Sequence, residues 1–215
     1  MDNNTLRQNI ERFRSIMGNV KRPGIDKLME FIEKKSDFYT APASTRFHLS
    51  CEGGLLQHSL NVYDTLAQFK DAEPFRTALA RCDMQSIAIA ALLHDICKTM
   101  YYKATTRNVK NEQTGQWEKV PYYNIEDQIP YGHGEKSVMM IESYMRLTNA
   151  ERYAIRWHMG GFEPQQLQNT VNAAFSKYPL AVALHIADLF ATNVMEDTSD
   201  NKPQAPKSPE FEHVD

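Results

Sequence analysis

Residues 84–98 read MQSIAIAALLHDICK, and Asp83 stands directly before them as a helix N-cap. Met84, Ile87, Ala91, His94 and Lys98 follow one another at intervals of three and four, the spacing of one face of an α-helix. A histidine therefore stands on an apolar stripe, with Asp95 beside it. The same conflict recurs twice. In the segment that opens at Leu55, residues Leu55, His58 and Val62 share a face, so His58 points inward. Near the C-terminus Ala181, Leu184, Asp188, Ala191 and Met195 share another, which sets a carboxylate among apolar groups. Burying it there is expensive unless a cation or several donors meet it.

A lone inward histidine is usually a hydrogen-bonded core residue, and a lone helical aspartate is usually solvated or a cap. Two inward histidines, an inward aspartate and the adjacent Asp95, spread over three helices, are hard to satisfy one by one. A divalent metal satisfies them together, because imidazole and carboxylate are its usual ligands. A carboxylate such as Asp95 can also bridge two ions about 3.5–4 Å apart.

The pattern His58 … His94-Asp95 … Asp188 resembles the H…HD…D signature of the HD superfamily of metal-dependent phosphohydrolases. Gly53-Gly54-Leu55-Leu56-Gln57-His58 resembles the family's Gly-Gly-Leu-Leu-x-His entry, and Ala91 to Lys98 its apolar-His-Asp-x-x-Lys helix. Leu184-His185-Ile186-Ala187-Asp188 is similar to its closing helix. The likeness spans roughly residues 45–195. It implies an all-α HD-domain helical bundle and, from members with two metals, a dinuclear centre. His58, His94, Asp95 and Asp188 would hold one ion, and Asp95 with His133 and His158 the other. The ions would be Mn, Mg, Fe, Ni or Zn. The catalytic residues would be Asp95, Lys98 and Asp188. Lys98 sits where related enzymes keep a lysine near the phosphate, and Arg46 and His48, in the loop before the first ligand helix, are expected to bind substrate. His185 reads as a packing residue, and His213 lies in the tail.

The rest of the chain reads as helices with one interruption. Leu6, Ile10, Phe13 and Met17 make a stripe that Gly18 stops; residues 25–35, 134–146, 164–176 and 179–195 are further expected helices, and Thr148 with Glu151 forms a capping box. Residues 101–131 alternate aromatic, β-branched and polar types around Thr114-Gly115, which predicts a β-hairpin insertion at 104–123, with Pro121 on an edge strand. The expected organisation is N-terminal helices at 1–40 packed on the core, an HD domain at 41–197 and a flexible tail at 198–215.

The 215 residues are 42% apolar and 24% charged, with net charge −3. No apolar run reaches the roughly 18 residues of a membrane span, and the balance argues against an extensive nucleic-acid surface. Three cysteines, which cannot all pair and none of which sits in a Cys-x-x-Cys arrangement, suit a reducing cytoplasm better than a disulfide framework. The expected activity is hydrolysis of a phosphate ester, in a nucleotide or related small phosphorylated metabolite, by a metal-activated water, in a protein able to self-associate. A phosphodiesterase or 3′–5′ exoribonuclease is the near alternative, although no oligonucleotide-binding domain is evident. Some HD-fold proteins are di-iron oxygenases with the same ligand set. The cyclic-dinucleotide branch is disfavoured because no Gly-Tyr-Pro follows, and a scaffold with a dead site because all six ligand positions are filled.

Overall fold

The computed structural model describes residues 1–45, 47–111 and 114–196. Helices α1 (Asn3–Met17) and α2 (Ile25–Lys34) open the chain. Asp2 caps α1 by accepting the amides of Asn4 and Thr5 at 2.9 Å. The long α3 (Gly54–Asp71) is followed by a short α4 (Phe75–Ala78), which the sequence pattern did not reveal, and by α5 (Met84–Leu93). A hairpin of β1 (Tyr102–Lys110) and β2 (Trp117–Ile125) separates these from α6 (His133–Glu142), α7 (Asn149–Trp157), α8 (Gln168–Lys177) and α9 (Pro179–Phe190). The fold is thus mostly helical with a small antiparallel sheet.

Two apolar clusters hold the bundle together. The first joins Phe13 and Met17 of α1, Leu28 and Ile32 of α2, Leu55, Leu56 and Leu60 of α3, Ile89 and Leu92 of α5, Ile141 of α6 and Ile155 of α7. The second joins the other sides of α3 (Val62, Leu66) and α5 (Ile87, Ala90, Ala91) to Ala154 of α7 and to Leu180, Ala183, Leu184 and Ala187 of α9. Helices α3, α5 and α7 feed both clusters and so stand at the centre of the molecule. Each fully buried leucine or isoleucine there contributes about 1.5–3 kcal/mol. Every residue of α5 from Ser86 to Leu93 is buried, so the charged pair that follows it emerges in the middle of the protein.

Several boundaries differ from the sequence reading. The helix expected to run on through Lys98 ends at Leu93; His94 is its C-cap, and Ile96–Lys98 form a 3-10 turn. The helix expected at 134–146 stops at Glu142, and the one expected at 164–176 starts at Gln168 after two 3-10 turns. The hairpin reaches past 104–123, from the Tyr102↔Ile125 pair to Lys110↔Trp117, with Thr106 opposite Pro121. Asp83 caps α5 through the Ser86 amide, and Thr148 and Glu151 form the capping box of α7. After α9 the chain makes a π-helical turn, Ala191–Met195. Arg46, His213 and the tail at 198–215 lie outside the described residues. No single described helix is long and apolar enough to cross a membrane.

Candidate metal centre

The chain brings the six predicted ligands together, and all of them except the fully buried His94 line one cleft. His58 projects from the second turn of α3 and Asp188 from within α9, while the other four stand at helix ends. His94 caps the C-terminus of α5 and His158 that of α7; His133 is the first residue of α6, entered through Gly132 at φ 87°. The helix end explains why adjacent His94 and Asp95 serve one centre. Neighbouring residues inside a continuous helix point about 100° apart, but Asp95, at φ −106° and ψ 17°, has left the α conformation.

Asp95 is the hub and is 2% exposed. Its Oδ2 lies 3.7 Å from His58 Nε2, 3.5 Å from His94 Nε2 and 2.6 Å from Lys98 Nζ. Its Oδ1 lies 2.7 Å from His133 Nε2 and 3.6 Å from His158 Nε2. Asp188 Oδ1 is 3.2 Å from His58 Nε2. The carboxylate therefore shows one oxygen to each of two histidine pairs, and two of the resulting groups, His58–His94–Asp95 and Asp95–His133–His158, have ligand atoms close enough to share an ion. Asp188 groups with His94 and His158 in the same way.

Hydrogen bonds also fix which nitrogen two of the donors, His94 and His158, turn toward the centre. His94 Nδ1 lies 2.8 Å from the Ala91 carbonyl and His158 Nδ1 2.7 Å from that of Ile155. A carbonyl only accepts, so each Nδ1 carries the proton and each Nε2 a lone pair aimed at the centre. Both Nε2 atoms are buried without a hydrogen-bond partner. Buried polar atoms in this state are costly, and a divalent ion satisfies them. The residues fit the group that the pattern implies.

The electrostatics follow from burial and from the mixture of charges. Burial pushes the His94 imidazole down to about 4. Burial also lowers His58, but Asp188 and Glu196 on either side carry it up to about 10. Burial would raise Asp95 and Asp188, yet Lys98 and the histidines hold Asp95 far below the usual carboxylate range, and His58 does the same for Asp188. Lys98 is raised, against its burial, by Asp95 and stays an ammonium.

Two placements correct the sequence reading. Asp188 is not fully buried: its side chain is 20% exposed and opens onto the cleft. Lys98 shares no helical face with His94, and reaches Asp95 from the 3-10 turn. His48 lines the cleft, its ring 5.1 Å from that of His58, and burial lowers it to about 4. His185 hydrogen-bonds the carbonyl of His158 at 2.7 Å, which ties α9 to the end of α7.

Further contributors lie outside the residues that the motifs single out. Glu196, past the last helix, lies 2.9 Å from His58 Nδ1. Cys97, whose thiol burial pushes up to about 12, lies with Sγ 3.4 Å from His133 Nδ1. The tyrosines at the base of the hairpin line the cleft, which has a volume of about 840 Å³ and further walls from Phe47, Ile125 and Phe162. No compositional signal marked Glu196, whereas Tyr101 and Tyr102 lay in the stretch read as an insertion.

A helical bundle with this His-Asp centre defines a class. The HD domain model matches residues 55–193, and the chain belongs to that family, a family of metal-dependent hydrolases. No curated protein and no solved structure matches the chain.

Proposed function

We propose that the protein hydrolyses a phosphate ester of a nucleotide or a related metabolite. The observation that carries this reading is the two-sided Asp95, with one oxygen facing His58 and His94 and the other facing His133 and His158, in the lining of a largely apolar cleft. In this reading His58, His94, Asp95 and Asp188 hold one divalent ion, and Asp95, His133 and His158 a second. When bound, such a pair supplies Lewis acidity and a water of lowered pKa.

The chain's own residues supply the rest. Lys98, held as an ammonium and lining the cleft, neutralises charge that grows on a phosphoryl oxygen. Asp188, ionised and open to the cleft, accepts a hydrogen bond from the attacking water and so orients it. Tyr101, Tyr102, Phe47 and Phe162 offer flat apolar surface for a base or similar group. His48 sits on the same wall and is assigned to substrate, as is Arg46 by its place in the loop. The three free thiols accord with a cytoplasmic site of action.

The test is a hydrolysis screen over nucleoside mono-, di- and triphosphates, cyclic nucleotides and short RNA. Mn²⁺, Mg²⁺, Fe²⁺, Ni²⁺ or Zn²⁺ is added, in air and without oxygen. Release of phosphate or nucleotide at the same rate in both atmospheres is expected. Cleavage of RNA alone would turn the reading to a phosphodiesterase. Strict dependence on iron and O2 with no ester cleaved would turn it to an oxygenase.

A further inference from the structure

Glu196 has the placement of a working residue although no motif includes it. The π-helical turn Ala191–Met195 ends with the Glu196 amide donating to the Ala191 carbonyl at 3.0 Å. A π turn holds one residue more than an α turn, and such turns cluster at functional sites. This one swings a glutamate back against α3. The side chain is 1% exposed. Its Oε1 accepts from His58 Nδ1 at 2.9 Å and from Asn61 Nδ2 at 3.0 Å, Asn61 lying one turn further along α3. The other oxygen has no hydrogen-bond partner and faces His48 Nε2 at 4.0 Å.

His58 differs in this respect from the other ligand histidines at the hub. His94 and His158 are fixed by carbonyls of their own helices, three residues back. His58 lies inside α3, in its second turn, where the carbonyls are already engaged in the ladder, and its Nδ1 is met instead by a carboxylate 138 residues away. A carboxylate on the far nitrogen of a ligand histidine fixes the ring, sets the tautomer and makes the near nitrogen a better donor. We propose that Glu196 is the positioning residue of His58, keeping the proton on Nδ1 and turning Nε2 toward Asp95 and Asp188. The proposal rests on the metal-centre reading above. It competes with one other arrangement of the same atoms, in which His48, His58 and Glu196 hold an ion of their own. That arrangement would require the Nδ1 proton to leave.

The test compares Glu196→Gln, which keeps an acceptor, with Glu196→Met and Glu196→Ala, which do not; Met preserves volume where Ala destabilises the fold. The first readout is the Nδ1 proton of His58 in metal-free, ¹⁵N-histidine-labelled full chain, assigned by its loss in His58→Gln. The second is the affinity and stoichiometry of Mn²⁺ by calorimetry. Wild type and Glu196→Gln are expected to show a slowly exchanging Nδ1 proton. The Met and Ala variants are expected to lose it and to bind Mn²⁺ about 10–100-fold more weakly, with Gln recovering most of that loss. Wild-type behaviour of the Met variant in both readouts would overturn the proposal. So would a Gln variant as impaired as Met, or one that loses an ion from the stoichiometry. A wild type that binds no Mn²⁺ while the proton pattern holds would refute the metal reading instead and leave the positioning contact established.

Discussion

At the scale of single residues, Asp95 and Lys98 carry the heaviest consequences. Lys98 both neutralises Asp95 at 2.6 Å and faces the cleft. If its main task is to meet charge at the transition state, Lys98→Ala should lower kcat by about 10²–10³ while elemental analysis still finds the full metal content. Loss of metal in step with activity would show that it serves only to balance Asp95. The ligands make a sharper contrast. Asp95→Ala removes the carboxylate both ions share and should leave none, whereas His158→Ala should retain one ion and lose most turnover. Of the candidate ligands, His58, His94 and Asp188 were legible in the sequence because polar residues on apolar stripes violate the pattern that buries them, with Asp95 beside His94; His133 and His158 followed only from the resemblance to two-metal members of the family. Glu196 was not legible, since a glutamate beyond the last apolar position reads as solvated surface until a π turn folds it inward. Nor was Cys97, a small buried thiol like many others.

The elements matter through their ends and their crossings. His133 at the start of α6 and His158 at the end of α7 have ring centroids 5.1 Å apart, and Gly134 permits that closeness. A Cβ on Gly134 would lie 2.2 Å from the carbonyl oxygen of Arg156 and 2.8 Å from its carbon. Both are backbone, so α6 must retreat from α7. Gly134→Ala should therefore cost about 1–3 kcal/mol of stability and reduce metal stoichiometry from two ions to one, with the His58–His94 side intact. Calorimetric unfolding with elemental analysis measures both; unchanged stoichiometry would mean that the ligands tolerate the shift. Helical period identified the long elements well, α1, α3 and α5 in particular. It was blind to where α5 stops, because the apolar spacing continues through Lys98 while the backbone has already turned at Asp95.

For the molecule as a whole, Arg22 and Glu151 join three parts of the bundle. Arg22, between α1 and α2, donates to both oxygens of Glu151 at 2.8 and 2.5 Å and reaches Ser86 near the start of α5 at 3.3 Å. Glu151 is wholly buried and also closes the capping box of α7. Burial raises its carboxyl, but Arg22, Ser86 and the Thr148 amide outweigh that and hold it below its ordinary 4.5. A depressed carboxylate stabilises the fold fully above the unfolded value, and loses that contribution as pH falls through the lower folded value. Glu151→Gln should thus lower stability by about 3–5 kcal/mol at neutral pH, as expected for breaking a buried pair. The gap in Tm between it and wild type should shrink in acid, and a gap that stays constant with pH would assign the loss to shape rather than charge. The hairpin has the opposite standing. Tyr102 and Ile125 are paired across its base, so the chain leaves the bundle and re-enters it at nearly the same point, between Asp95 and His133. Whatever the length of β1 and β2, the two ligands keep their separation. The cleft residues at that base, Tyr101, Tyr102 and Ile125, can thereby change in chemistry while the centre beneath them stays constant, an arrangement in which selectivity can diverge without putting catalysis at risk.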